Sequence, residues 1–344
     1  MDVLIMWMPE LLDYEAIAAD FVRTLRGKRS QMGLSRSLGY RSNIVYRWEA
    51  GQCWPTAAVF LDRCQKLGLD IGAALGALFP RGLHWHEQHA AVSPFGLAAF
   101  LEGLRGGTPI GELARTAGVN RFTVSRWLKG SAQPRLPDFF RMVEAASRRL
   151  LDLLSHWVNP ARLPSARSHW QRLERARRLA YEQPWAHAVL RVLQLADYRA
   201  AVPRDTRWIA DRLGISTAEA ERGLSSLQDS GQIVDDHGRW VPQSIERVDT
   251  GQDAQRSHNL KLHWTNVAMQ RAASGGPGSF GYSLFEVSRA DLRKLMALHV
   301  EYVRSMQHIV SNSRGTECVA LYCAQLFDLA AQDNALGRET PAER

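Results

Sequence analysis

Residues 21–60 align without a gap on residues 100–139 at a constant offset of 79. Thirteen of the forty positions are identical: Phe21/Phe100, Leu25/Leu104, Arg26/Arg105, Gly27/Gly106, Leu34/Leu113, Arg36/Arg115, Gly39/Gly118, Val45/Val124, Arg47/Arg126, Trp48/Trp127, Gly51/Gly130, Pro55/Pro134 and Phe60/Phe139. The apolar members recur at spacings that one helix face buries, the glycines stand where helices stop, and the prolines forbid continuation. A chain that repeats this set is expected to build the same small helical bundle twice.

The spacing predicts, in the first copy, helices over 14–29 and 31–38, a turn at Gly39, a short helix from Ser42 ending near Gly51, and an amphipathic helix after Pro55. In the second copy Pro109 opens a helix closed by Gly118, and 121–129 forms the next. Each copy thus reads as a helix-turn-helix. The domains expected are 1–79, a linker over 80–94, and 95–158.

The rest of the chain reads differently. A break at 159–168 precedes helices over 170–181 and 185–198. Then 206–213 reads as a short helix closed by Gly214, and Ser216-Thr217-Ala218-Glu219 as a capping box that starts a helix to Ser230. Ile233-Val234 and Trp240-Val241 flank Asp235-Asp236-His237-Gly238 as a hairpin. Helix, turn, helix and hairpin make a winged helix, so 159–245 is expected as a helical connector and winged-helix domain. After a polar connector over 246–253 come a helix over 259–273, a strand over 282–287, a long helix capped by Ser288, and a second strand over 318–326. This α+β module, 246–331, is expected to dimerise, its strands pairing across a two-fold axis, and 332–344 to form a flexible tail. The fold class is therefore mainly α: two tandem helix-turn-helix bundles, a winged helix and a small α+β module.

Composition bounds the function. The 344 residues are 45% hydrophobic and 23% charged, an ordinary globular balance with room for several domains. The net charge of +8 is uneven: residues 1–20 carry −5, residues 21–200 carry +15 and residues 201–344 carry −2. A cationic half that holds the repeat favours a polyanionic partner, because neutralising phosphates releases counterions. Cys53, Cys64, Cys318 and Cys323 lack zinc-ligand spacing and are expected as free thiols of a reduced compartment. No export leader or membrane-spanning run is read from the sequence, so a cytoplasmic protein is expected.

Several motifs carry no chemistry on inspection. Gly276-Pro277-Gly278-Ser279-Phe280-Gly281 matches the dinucleotide fingerprint literally, but a helix precedes it and a strand follows, the reverse of what a pyrophosphate site needs. His84, His86 and His89 lack the carboxylate or thiolate company of a metal site. No nucleophile or acid–base arrangement with a local signature is present. Neither cofactor, metal nor enzymatic activity is expected.

The two copies resemble the repressor/Cro-type DNA-binding fold through Gln31, Leu34, Gly39, Arg47, Trp48, Glu49 and Gly51 in the first, and Leu113, Gly118, Val124, Arg126, Trp127 and Gly130 in the second. The second departs from the pattern with Ile110 in place of the glutamine and Leu128 in place of the glutamate. The resemblance implies that the second short helix of each copy enters the major groove. Base readers would then be Ser42, Asn43, Tyr46 and Arg47, and Arg121, Phe122, Ser125 and Arg126, with Arg41 and Asn120 at the matched position before them. Gln31 would hold a backbone phosphate, with Lys129 serving instead in the second copy. Arginine can pair with guanine, asparagine with adenine, and Phe122 can touch a thymine methyl. Trp48 and Trp127 read as core.

From about 95 to 332 the order of parts is similar to a family of bacterial transcriptional regulators with an uncharacterised C-terminal domain. The likeness rests on Trp185-Ala186-His187-Ala188, on 208–215, on Gly238-Arg239-Trp240, and on Tyr282-Ser283-Leu284 leading into 288–292. It implies regulation, with an extra N-terminal copy beyond the usual one. The function expected is therefore a sequence-specific, double-stranded DNA-binding transcriptional regulator acting as a homodimer. Alternatives stay open: a scaffold, including an α-solenoid, or an anti-activator that uses the basic helices to hold an acidic partner; a copy that has lost DNA binding and serves packing; and a ligand-sensing or enzymatic C-terminal domain, for which no motif speaks. Glu219 and Glu221 favour a structural or dimerising role for the winged helix, although Arg239 could still touch backbone.

Overall fold

The structure, a computed structural model, describes residues 12–79, 90–200, 205–243 and 248–329. It is mainly α, with seventeen α-helices and one two-stranded sheet among the described residues. The histidines at 84, 86 and 89, most of the expected linker and the expected tail lie outside them.

The first repeat forms α1 (Tyr14–Arg26), α2 (Gln31–Ser37), α3 (Ile44–Glu49), α4 (Ala57–Lys66) and α5 (Ile71–Gly76); the second forms α6 (Pro94–Arg105), α7 (Ile110–Ala117), α8 (Arg121–Leu128), α9 (Leu136–Ser147) and α10 (Leu150–Ser155). The same offset maps the start of α4 on α9 and both ends of α5 on α10. Local chemistry repeats with it. Gly27 and Gly106 end α1 and α6 at φ 57°, ψ −129° and φ 53°, ψ −128°, a region closed to residues with a Cβ. Asp13 caps α1 by accepting from the Ala16 amide, and Ser93 caps α6 by accepting from Gly96.

The copies do not bury separate cores. One apolar cluster runs from Ile17 through Phe21, Trp48 and Phe60 to Phe100, Trp127, Phe139, Phe140 and Leu173. Phe21 meets Phe60 edge-on at 5.9 Å in its own copy and Phe140 at 6.0 Å in the other. Arg141 of α9 binds Glu15 of α1 at 3.2 Å. The copies also meet in a short antiparallel contact centred on Thr56 and Arg135, which are equivalent positions. There the Ala57 amide donates to the Pro134 carbonyl at 2.9 Å, and the Leu136 amide donates to the Pro55 carbonyl at 3.0 Å. Since 55 matches 134 and 57 matches 136, the two bonds exchange under a local two-fold axis.

A 3₁₀ turn (Pro160–Arg162) leads into α11 (Arg167–Glu182), α12 (Pro184–Val192) and α13 (Ala196–Ala200). Arg177 of α11 is buried and reaches the buried Asp152 of α10 at 2.5 Å, while its Nε donates to the Asp249 carbonyl. This ties the repeat core to the chain beyond. Next, α14 (Thr206–Leu213), α15 (Thr217–Asp229), β1 (Ile233–Asp236) and β2 (Arg239–Pro242) form a second apolar cluster with α12 around Val189, Ile209, Leu224 and Ile233. The capping box expected at Ser216 is present, its hydroxyl accepting from the Glu219 amide. The hairpin turns at His237 and Gly238, φ 52° and 80°, the paired positive angles that fit a two-residue connection to strand twist.

The last two helices, α16 (Ala254–Ala273) and α17 (Arg289–Asn312), pack differently. Trp264 of α16 meets Trp185 edge-on at 5.2 Å. The segments 282–287 and 318–326, expected as strands, are not strands, and the expected α+β module is corrected to two helices with irregular connections. Alternating apolar side chains suit a strand, yet a strand exists only where another backbone completes its hydrogen bonds. Here the neighbours of 318–326 are helices: the Cys323 thiol faces the Trp264 carbonyl at 3.7 Å, Gln325 donates to Thr265 at 3.3 Å, and the Tyr322 ring lies against His299 and Tyr302. The run 276–281 follows a helix and precedes this irregular chain, so it forms no phosphate cradle. No helix among the described residues is long and apolar enough to cross a membrane.

Candidate functional site

The candidate site comprises the exposed ends of α3 and α8 with the turns before them. Both helices are fixed from inside. Val45 and Trp48 on α3, and Val124 and Trp127 on α8, are buried, as their spacing of three requires. Trp48 packs edge-on against Tyr40 at 5.5 Å and Phe60 at 5.7 Å. The remaining positions consequently point outward. Tyr46 is 52% exposed and Phe122 78% exposed, large values for aromatic side chains in a folded chain. Arg41, Ser42, Arg47, Arg121, Arg126 and Lys129 are exposed as well, while Asn43 and Ser125 are partly covered.

The cations divide into two populations. Arg26, Arg105, Arg141, Arg149 and Arg177 all bind carboxylates. Arg41, Arg47, Arg121, Arg126 and Lys129 bind none among the described residues, as is also true of several cations elsewhere, among them Arg175, Arg178 and Arg222. Arg36 and Arg115, at equivalent places near the ends of α2 and α7, are likewise exposed and free of carboxylates. Sequence reading passed over this last pair, although a charged identity between the copies at a solvent-facing position was a usable signal. A guanidinium without a carboxylate keeps all its donors for an outside acceptor.

Two expectations about individual residues change. Gln31 does not stand free: its Nε2 donates to Glu49 Oε2 at 2.7 Å, and Arg26 Nε donates to Glu49 Oε1 at 2.6 Å. Glu49 is buried, so this cluster pins α3 to α1 and α2. A buried carboxylate captures the nearest donors before solvent-side ligands can. In the second copy Leu128 and Ile110 replace the acid and amide, and the matching Arg105 turns to Glu102 on its own helix.

The other change concerns the helix start. Ser42 and Asn43 precede α3, which begins at Ile44, whereas the equivalent α8 begins two positions earlier at Arg121. Asn120 explains the difference. Its side chain accepts from the Phe122 amide at 2.9 Å, capping α8, while Arg41 at the matched position of the first copy offers no acceptor. Asn120 Oδ1 is thus engaged in holding the helix start.

The α14–α15–hairpin unit mixes both signs: Arg207 and Arg222 are exposed and bind no carboxylate among the described residues, yet acids stand beside them. Glu219 closes its capping box, Glu221 is exposed, and Arg239 of the hairpin donates to the Tyr198 carbonyl at 3.2 Å and also to the Arg199 carbonyl, so it faces inward. A cleft of about 500 Å³ opens between α12, α16 and 321–325, lined by Pro184, His187, Lys261, Trp264, Leu321 and Tyr322. Burial, followed by the nearby Arg191 charge, lowers the His187 pKa to about 4. Among the described residues no group of three His, Cys, Asp or Glu could hold a metal ion.

Residues 165–329 match the model of a family described as a domain of unknown function (DUF4423). The match begins just before α11 and excludes both repeats. No curated protein matches the chain. No solved structure matches it either.

Proposed function

We propose that the protein is a sequence-specific, double-stranded DNA-binding transcriptional regulator in which α2–α3 and α7–α8 act as helix-turn-helix units. The observation that carries this reading is the matched pair of outward faces: Tyr46 and Arg47 on one, Phe122 and Arg126 on the other, with unpaired guanidinium groups backed by a rigid core. Arg47 and Arg126 read bases, Tyr46 and Phe122 supply apolar contact to thymine methyls, and Arg36, Arg41, Arg115, Arg121 and Lys129 meet phosphates. The unit α14–α15–β1–β2 is a winged helix that serves packing, given its inward arginine and its acids. The two-fold junction at Thr56 and Arg135 favours half-sites in inverted orientation, and the differing side chains on α3 and α8 make those half-sites unlike in sequence.

Selection of fragmented genomic DNA by the purified protein at physiological salt tests this, alongside the Arg47→Ala/Arg126→Ala variant. The expected result is one enriched motif built of two dissimilar, inverted half-sites, lost in the variant. Salt-sensitive binding with no motif, equal in both proteins, would overturn the reading in favour of a scaffold that holds an acidic partner.

A further inference from the structure

The C-terminal part of the chain leaves an unusual amount of apolar surface uncovered. Helix α17 runs for 24 residues, yet none of its described side chains is buried. In proteins most of a helix's stability comes from packing an amphipathic face. That face exists: Leu292, Leu295, His299, Tyr302, Met306 and Ile309 recur at alternating spacings of three and four, the pattern of a helix–helix seam. Tyr322 covers its middle, while Leu298, Ile309 and Val310 remain 60%, 70% and 67% exposed. Just before α17 in the chain, Tyr282, Leu284, Phe285 and Val287 are exposed on a segment that pairs with no strand among the described residues.

We infer that this surface is covered by the same surface of a second copy, with the 282–287 backbones and the α17 seams brought together across a two-fold axis. Area supports this occupant. The exposed side chains of Tyr282, Leu284, Phe285, Val287, Leu298, Tyr302, Ile309 and Val310 alone present roughly 1,000 Å² on one chain, above the about 800 Å² that each partner contributes to a standard interface. Obligate homodimers occupy that larger, more apolar class. Charge opposes self-pairing only weakly: α17 carries four Lys/Arg against Asp291 and Glu301, and two of those cations are already paired, Lys294 with Asp291 and Arg289 with Asp328. A two-fold axis also gives each 282–287 segment an identical backbone to meet, so one contact satisfies both chains. The pairing stands apart from DNA binding, but its consequence, a doubled set of helix-turn-helix units, rests on the function proposed above.

Light scattering of the full-length protein at micromolar concentration, with hydrogen exchange on the same sample, tests the inference. The expected mass is twice the 38.7 kDa of one chain, with the 282–287 amides exchanging at least tenfold more slowly than unpaired chain. Leu298→Glu/Ile309→Glu should halve the mass. Leu284→Pro removes one edge donor at an exposed site and should weaken pairing with folding intact, checked by unchanged protection of α15. A wild-type monomer, or a dimer that both variants leave intact with 282–287 unprotected, would overturn the inference. Genomic selection separates the two proposals: a dimer without a motif removes only the regulator, and a motif bound by a monomer removes only the pairing.

Discussion

Replacing Glu49 by leucine should loosen α3 selectively, by an amount set by what the carboxylate holds. Glu49 side-chain exposure is 6% and that of Arg26 is 25%. Removing one partner of a fully buried pair costs about 3–5 kcal/mol. Arg26 is partly wet and keeps a 2.9 Å bond to the Arg29 carbonyl, and leucine adds apolar burial, so the net loss should be about 2–3 kcal/mol. The second copy indicates how to recover part of it. Gln31→Ile and Glu49→Leu together reproduce Ile110 and Leu128 while leaving Arg23 on the buried Asp20 at 2.8 Å. This double variant should recover about 1 kcal/mol of the loss, because no amide is left facing a missing carboxylate. Hydrogen exchange reads the effect directly, with α8 in the same molecule as the reference. Amides of α3 should exchange about 30- to 150-fold faster in Glu49→Leu, those of α8 unchanged, and the double variant should return about fivefold of the protection. Exchange within threefold of wild type for the single variant, or no recovery in the double, would refute the view that this cluster holds the helix.

Asn120→Ala should cost about 1 kcal/mol and fray α8 back to the start that α3 already has, seen as lost protection at Val124 and Ser125. Phe122→Ala should change stability by less than about 0.5 kcal/mol, because the ring is already in water, yet weaken DNA binding at one base pair in a site library. Arg47→Ala and Arg126→Ala should each cost about 1–3 kcal/mol at one base position, whereas Arg36→Ala should weaken all sequences alike and flatten the salt dependence. Acid should destabilise the α12 cluster: the folded His187 pKa of about 4 lies below the ordinary 6.5, so the unfolded chain binds the extra proton between these values. Stability is then full above pH 6.5 and falls by on the order of 3 kcal/mol toward pH 4, a loss that His187→Gln should remove in denaturation curves taken at both pH values.

Much of the helical layout was legible because its signals are local. Glycine stops, proline starts and three-to-four spacing gave the helices of both copies, and Ser216 with Glu219 gave the start of α15. The hairpin was equally local, set by His237 and Gly238. What escaped depends on distant partners. Nothing in Pro55-Thr56-Ala57 reveals that it meets Pro134-Arg135-Leu136, since the contact is backbone to backbone. Gln31 reads as a phosphate ligand from its position in the pattern, and nothing local shows that the buried Glu49, 18 residues away, takes one of its amide hydrogens. The strands expected at 282–287 and 318–326 do not form within one chain for a related reason: alternation records which faces are apolar, not whether another backbone is present.

The two symmetries have a joint consequence for DNA. Under the function proposed above, the Thr56–Arg135 junction relates unlike readers within one chain, so a single chain is expected to suit a site of form A followed by an inverted B rather than a true palindrome. A second copy joined through α17 would restore exact symmetry at a larger scale, placing A and inverted B on one side and their mirror order on the other. Because the first spacing is fixed inside a packed core and the second passes through the α11 to α16 region, the two should differ in tolerance. Adding half a helical turn, about 5 base pairs, within an A–B pair should abolish binding of that pair. The same insertion between pairs should reduce only the gain from the second chain. Equal sensitivity at both places would mean that the repeats are not held as one unit, contrary to the shared core that joins Phe21 to Phe140.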